Sequence, residues 1–317
     1  MLRKICPVIA GVLISCFTAG AQDNSFKVVG YYSLRSALEG TRHVPFKRLT
    51  HINLWFLNPD TLGNFVDDLS GLDRFVRKAH RKNVKVLFSI GGGSKHPQYH
   101  KLLKDEYRAL LINNLMAQVL RYDLDGVDVD LEGSDIDDQY ESFVTELSSA
   151  LRPHNKLMTA AIAVYYKDQL TDKALSHYDF MNVMSYDRTG PWRPDKPGQH
   201  SAYEHAVEDL DYFGTIRHIP KEKMTLGVPF YGYGYGPELT SPAISMNFAE
   251  IVSAFHGAER VDEWKRDDGK VIYYNGIPTI KKKTVLAKEK AGGVMIWQVR
   301  GDARGSKSLL RAISKAY

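Results

Sequence analysis

The sequence predicts an α/β fold: a single-domain (β/α)8 TIM barrel with a modest loop insertion between strands 7 and 8. Three observations point there. Eight short apolar, β-branched runs recur along the chain, amphipathic helix-like stretches follow most of them, and their spacing suits βαβ units. At 317 residues the chain has room for one such barrel or for two ordinary domains.

Taken in order, the strand candidates are 27–32, 51–57, 84–90, 126–132, 157–164, 180–186, 224–230 and 293–299. Most gaps between them run to ~25–40 residues, which accommodates a helix and its two loops. The gap from 230 to 293 is longer. It holds a Tyr/Gly-rich loop, a helix-like stretch 247–256, a polar turn 266–270 and a short strand 271–274. An excursion over residues 232–285 reads better than an independent domain, because little apolar material remains for a second core. The barrel is expected over residues 22–317.

Hydrophobic residues make up 44% and charged residues 25%, the balance of a soluble globular chain. Forty-two Lys and Arg against 37 Asp and Glu leave a formal charge of +5, too mild and too scattered for a nucleic-acid partner. Lys281-Lys282-Lys283 is the one compact basic cluster and reads as a solvated helix start. Residues 1–21 read as a signal peptide: Arg3 and Lys4 precede an apolar run from Ile5 to Phe17, and Ala19-Gly20-Ala21 suits cleavage. Leu13-Ile14-Ser15-Cys16 also resembles a lipobox, which would tether the protein to a membrane through a lipidated Cys16. Either reading exports the protein, to the periplasm or the medium. Cys6 and Cys16 are the only cysteines, so the mature chain has neither a disulfide nor a cysteine metal site.

The most informative stretch is 125–132, Asp-Gly-Val-Asp-Val-Asp-Leu-Glu. Asp128, Asp130 and Glu132 fall at every second position, so in a strand all three carboxyls share one face while Val127, Val129 and Leu131 share the other. Acids packed side by side repel, and such a row is useful where it holds a proton. Asp125 is out of phase and reads as structural. Barrel chemistry sits at the C-terminal strand ends. There the chain offers Tyr31, Ser89 with Gly91 and Gly92, Asp130 with Glu132, Tyr165, Tyr186 with Asp187, and Trp297. Any one tyrosine can equally be a core residue. Together they suggest an aromatic cleft for a carbohydrate, whose sugar faces stack on rings.

These residues also carry a resemblance. Residues 125–132 resemble the DGxDxDxE signature of glycoside hydrolase family 18, the chitinases and their relatives. Ser89-Ile90-Gly91-Gly92 is similar to the family's SxGG motif, and Met184-Ser185-Tyr186-Asp187 to its MxYD motif, followed by Gly190-Pro191-Trp192. The stretches 227–232 and 292–297 resemble the seventh and eighth strands, the last ending in Trp297. The motifs run in order from about residue 27 to 302.

The resemblance implies a retaining glycoside hydrolase acting on β-1,4-linked N-acetylglucosamine, with the sugar's own 2-acetamido oxygen as nucleophile. It implies that Glu132 is the general acid and then the base, and that Asp130 orients the acetamido N–H. Asp128 would share a proton with Asp130, Ser89 would bond that inner pair, and Tyr186 would donate to the acetamido carbonyl. Asp187 would contact the sugar or support Tyr186, Trp297 would floor the pocket, and Tyr31, Gly91 and Gly92 would line the binding site. No cofactor and no metal are expected, since the acidic run lacks the oxygen-ligand spacing of a calcium loop. The expected partner is an N-acetylglucosamine-containing oligo- or polysaccharide, bound by a monomer. Leu131 and Gly133 stand where many chitinases have Trp and Tyr, so the neighbouring wall differs, and Tyr233 stands where arginine is common; the gap before the last strand is short of a full chitinase insertion domain, which implies a shallower, more open groove. Two alternatives stay open: an endo-β-N-acetylglucosaminidase acting on N-glycans, and a glycan-binding barrel without catalysis.

Overall fold

In the computed structural model, residues 26–236 and 244–317 are described. The expected signal segment and Cys16 lie outside them. Eight parallel strands close into a barrel. In chain order the strands are β1 (Lys27–Ser33), β2 (His51–Trp55), β3 (Lys85–Gly91), β4 (Gly126–Asp130), β5 (Leu157–Ile162), β6 (Phe180–Val183), β7 (Met224–Pro229), β8 (Tyr231–Tyr235), β9 (Ile244–Asn247), β10 (Glu263–Lys265), β11 (Val271–Tyr273) and β12 (Gly293–Trp297). The barrel runs β1-β12-β7-β6-β5-β4-β3-β2. The helices are α1 (Leu34–Glu39), α2 (Leu72–His80), α3 (Gln98–Leu102), α4 (Asp105–Arg121), α5 (Tyr140–Leu151), α6 (Asp172–Ser176), α7 (Tyr203–Asp211), α8 (Phe248–Ala254), α9 (Ile277–Lys290) and α10 (Leu309–Ile313).

Period-two alternation builds two different environments on the barrel strands. Val127 and Val129 of β4, like Val86, Phe88 and Ile90 of β3, face outward into the main core beneath the helices. The helices answer with a 3.6-residue stripe: Leu72, Phe75, Val76 and Ala79 on α2, and Tyr140, Phe143, Val144, Leu147 and Leu151 on α5. Many inward positions are polar, including Asn53, Ser89, Asp128, Asp130, Thr159, Asn182 and Thr225, all buried, beside a smaller apolar cluster of Val29, Phe180 and Met295. Asp125 sits at the foot of β4, where its Oδ2 accepts from Val86 N at 2.7 Å and lies 2.8 Å from His80 Nε2. It braces two strands, far down the strand from the acidic tips.

Two expectations need correction. The Tyr/Gly-rich stretch after β7, expected as a loop, is a strand of a four-stranded antiparallel sheet ordered β10-β11-β8-β9, whereas α8 and β11 fall where a helix and a short strand were expected. Residues 231–235 read Tyr-Gly-Tyr-Gly-Tyr, a period-two pattern that puts three tyrosines on one face and leaves the glycine face open to close neighbours. A Cβ on Gly232 would lie 2.4 Å from the Tyr273 carbonyl oxygen. The excursion also ends earlier than 285, because α9 packs back on the barrel as the crossover helix into β12. The second correction concerns Lys283. Lys281 and Lys282 are exposed, but Lys283 falls on the inner face of α9 and is fully buried, donating to Ser201 O and Oγ at 2.7 Å each.

Candidate functional site

The acidic row runs up β4 and past its end. Asp128 and Asp130 point into the barrel, and the extended backbone at Glu132 (φ −126°, ψ 146°) carries the alternation one step beyond the last ladder residue. The strand register brings Asp128 level with Ser89 on one side and Thr159 on the other. Its Oδ2 accepts from Tyr31 at 2.6 Å and Ser89 at 2.7 Å, and its Oδ1 from Thr159 at 2.5 Å and Asn182 at 3.3 Å. Thr225 in turn donates to Asn182 Oδ1 at 2.8 Å.

Four donors on one carboxyl favour its ionised form. Burial nevertheless raises the Asp128 pKa above the ordinary carboxylate range, with Thr159, Tyr31 and Ser89 pulling the other way. Asp130 has no such support. Its Oδ1 is buried without a partner, and its carboxyl is pushed well up by burial, then by the charges of Glu132 and Asp128. Of the two, Asp130 is therefore the carboxyl whose protonated form its surroundings favour more. Glu132 is raised by burial and by Asp187 and Asp135, opposed by a hydrogen bond from Tyr166 to Oε2 at 2.7 Å.

Above these acids lies a cleft of about 470 Å³, lined among others by Asp130, Glu132, Tyr166, Tyr186, Trp192 and Trp297. A second cavity of about 430 Å³ lies on the flank between Arg48 and Arg311. Its carboxyl, Asp302, accepts from Ser308 Oγ and from the N–H groups of Leu309 and Leu310, and so is spent capping α10. Chemistry rather than volume selects the first.

The other residues singled out in the sequence divide into two sets. Trp297 and Tyr186 line the cleft. The Trp297 ring lies 5.9 Å from Phe56, nearly parallel, and 5.5 Å from Trp55. The Tyr186 hydroxyl is buried and meets only the Met295 sulfur at 3.8 Å, a weak acceptor, which leaves it available to a stronger one. Asp187 also lines the cleft, with a left-handed backbone (φ +62°). Its Oδ1 accepts from Tyr231 at 2.5 Å and Tyr233 at 3.1 Å and lies 3.3 Å from His200 Nδ1.

Tyr31, Ser89, Gly91 and Gly92 lie behind the cleft instead. Tyr31 and Ser89 hold Asp128. Gly91 (φ +92°) packs where a Cβ would meet the Asp130 carbonyl oxygen at 2.3 Å, and Gly92 where it would meet the Phe56 ring at 2.5 Å. Gly93 is the glycine that reaches the cleft.

Sequence reasoning missed Thr159 and Asn182, which occupy inward positions level with the acidic row and were legible from alternation once the register was known. It also missed Tyr166, which sits in a short turn, Val164–Tyr166, where no period applies. Asn58 was missed as well. It accepts from Gly91 N at 2.6 Å and donates to Gly91 O at 2.9 Å, so it fixes the turn after β3.

A family model, Glycosyl hydrolases family 18, matches residues 27–302. The chain belongs to that family. Among solved structures, a family 18 chitinase from the chitin utilization locus of Flavobacterium johnsoniae is 38% identical, with a TM-score of 0.82 over 92% of this chain and 94% of that one. A chitinase from Bacteroides thetaiotaomicron is 28% identical, with a TM-score of 0.76 over 92% and 96% of the two chains. Among curated proteins, a probable chitinase of Drosophila melanogaster is 26% identical over 280 residues, 70% of this chain and 12% of that protein. A chitinase-like mite allergen from Dermatophagoides farinae is 30% identical over 172 residues, 52% of this chain and 36% of that protein. The chain thus spans about a third or less of the length of these two curated relatives.

Proposed function

We propose that this family 18 barrel hydrolyses β-1,4-linked N-acetylglucosamine in chitin or its oligomers, with retention, and that residues 1–21 export it. One observation carries the reading. Of the carboxyls lining the cleft, Glu132 is partly open to solvent, Asp130 lies beneath it with burial and its neighbours' charges favouring its protonated form, and Asp187 is engaged through Oδ1 by Tyr231, Tyr233 and His200. A retaining enzyme of the usual kind needs a second, ionised carboxylate about 5 Å from the acid to attack the sugar. The raised Asp130 and the Asp187 carboxyl already bonded through Oδ1 are poorly placed for that task, which favours a nucleophile supplied by the substrate.

The acetamido carbonyl oxygen attacks C1 while Glu132 gives its proton to the departing glycosidic oxygen, leaving an oxazolinium ion. Asp130, with its unpartnered Oδ1, accepts the acetamido N–H, and Tyr186 donates to the acetamido carbonyl. Glu132, now ionised, takes a proton from water, which attacks C1 from the side the leaving group vacated, while the oxazolinium C1–O bond breaks and restores the acetamido group. Trp297 supplies the apolar floor on which the reacting sugar stacks.

Product analysis with N-acetylglucosamine oligomers beside a high-mannose glycoprotein tests the reading. Shortened oligomers and an untouched glycoprotein are expected. Cleavage of the glycoprotein alone would move the assignment to an endo-β-N-acetylglucosaminidase, and tight oligomer binding without products would make the barrel a binding protein.

A further inference from the structure

We propose that Tyr166 is a positioning residue for Glu132, its hydroxyl holding Oε2 so that Oε1 is the oxygen presented to the sugar. The inference rests on Glu132 as the acid. Tyr166 ends the short turn after β5, and its hydroxyl lies 2.7 Å from Glu132 Oε2. Among the described residues it has no other hydrogen-bond partner. Gly133, the next residue in the chain after Glu132, offers no side chain for this task, so the donor comes from the neighbouring loop.

That loop is clamped in place. Gln169 Nε2 donates to the carbonyls of Gly133 at 2.9 Å and Ile136 at 3.1 Å, while Gln169 N donates to Tyr166 O at 3.0 Å. The segment bearing the phenol and the turn bearing the acid are therefore tied together independently of any substrate. Gly93 lies on the other side, where a Cβ would stand 3.6 Å from Glu132 Oε1, so only backbone borders that oxygen there.

The direction of the hydrogen bond follows from the charges. Burial raises the Tyr166 phenol far above its ordinary range, and the Glu132 and Asp130 charges raise it further. It remains a donor at every working pH, so the proton that Glu132 delivers sits on Oε1. The titratable groups facing Glu132 are Asp130 on its own strand, Asp135 in the turn that follows, Tyr166 after β5, and Asp187 and Tyr186 after β6. None is cationic. Tyr166 is thus the group named here that favours the ionised carboxylate.

The test is a carbon-13 NMR titration of the Glu132 carboxyl in the wild type and in Tyr166→Phe, assigned against Glu132→Gln, beside pH–rate profiles on N-acetylglucosamine oligomers. Loss of a donor to the ionised form moves the midpoint up, by roughly one pH unit. The alkaline limb of kcat/KM follows it upward, because the protonated acid survives to higher pH, while kcat falls and KM holds. Gln169→Ala, which loosens the clamp and leaves the phenol, moves the midpoint the same way by less, and covers the case in which Tyr166→Phe does not fold. Unchanged midpoints in the variants that fold would overturn the inference. The titration needs no turnover: a wild type inactive on oligomers would sink the functional reading while the midpoints still decide the link between Tyr166 and Glu132.

Discussion

Asp128 and Asp130 are the same residue two positions apart on one strand face, and their partners make them different. Four donors converge on the first, and the second has a bare oxygen beneath the cleft. A similar contrast marks Tyr186, buried with a hydroxyl that finds only a sulfur, against Tyr31, whose hydroxyl is committed to Asp128. A buried hydroxyl without a strong acceptor is one held for a ligand. Tyr186→Phe is therefore expected to leave the thermal midpoint nearly unchanged and to lower kcat on oligomers by roughly 100-fold, the scale of losing the contact that holds the attacking acetamido oxygen in line with C1. Thermal melts and steady-state kinetics on the same preparation check both halves. A large loss of stability with little change in kcat would make Tyr186 a packing residue instead.

Elements place those residues. The row 128, 130, 132 was legible because a strand's period is two, and its meaning came from the register that sets Ser89 and Thr159 beside Asp128. The sheet after β7 was less legible, since its glycines read as loop although the tyrosines between them alternate as a strand does. Lys283 was missed for a different reason: a run of three lysines looks uniformly solvated, yet a helix turns 100° per residue and one of the three must face another way.

Burial pushes the Lys283 amine down to about 7, with Asp262, Asp209 and Glu204 opposing. The unfolded chain keeps the ordinary, higher value, so between pH 7 and 9 it binds more protons than the fold does. Stability from this group accordingly rises with pH, by about 1.4 kcal/mol per unit. Lys283→Met removes that slope. Urea unfolding at pH 7 and pH 9 should show the variant gaining least from the change, and a wild-type-minus-variant difference that does not grow with pH would contradict a neutral buried amine.

At the scale of the whole molecule, the barrel closes with its polar positions inside and its aliphatic positions beneath the helices, and this order was visible in the chain as eight recurring runs. Less visible were contacts between loops far apart in sequence, such as Tyr166 with Glu132 or Tyr233 with Asp187, because no local period encodes them. The fold brings six strand ends to one cleft and holds the Glu132 carboxyl there. The central claim is that this carboxyl moves the proton. Turnover of N-acetylglucosamine oligomers by Glu132→Gln, an amide of the same shape, tests it most directly. The account predicts a kcat lower by roughly 10²- to 10⁴-fold with oligomer binding retained, and full turnover by the variant would contradict it.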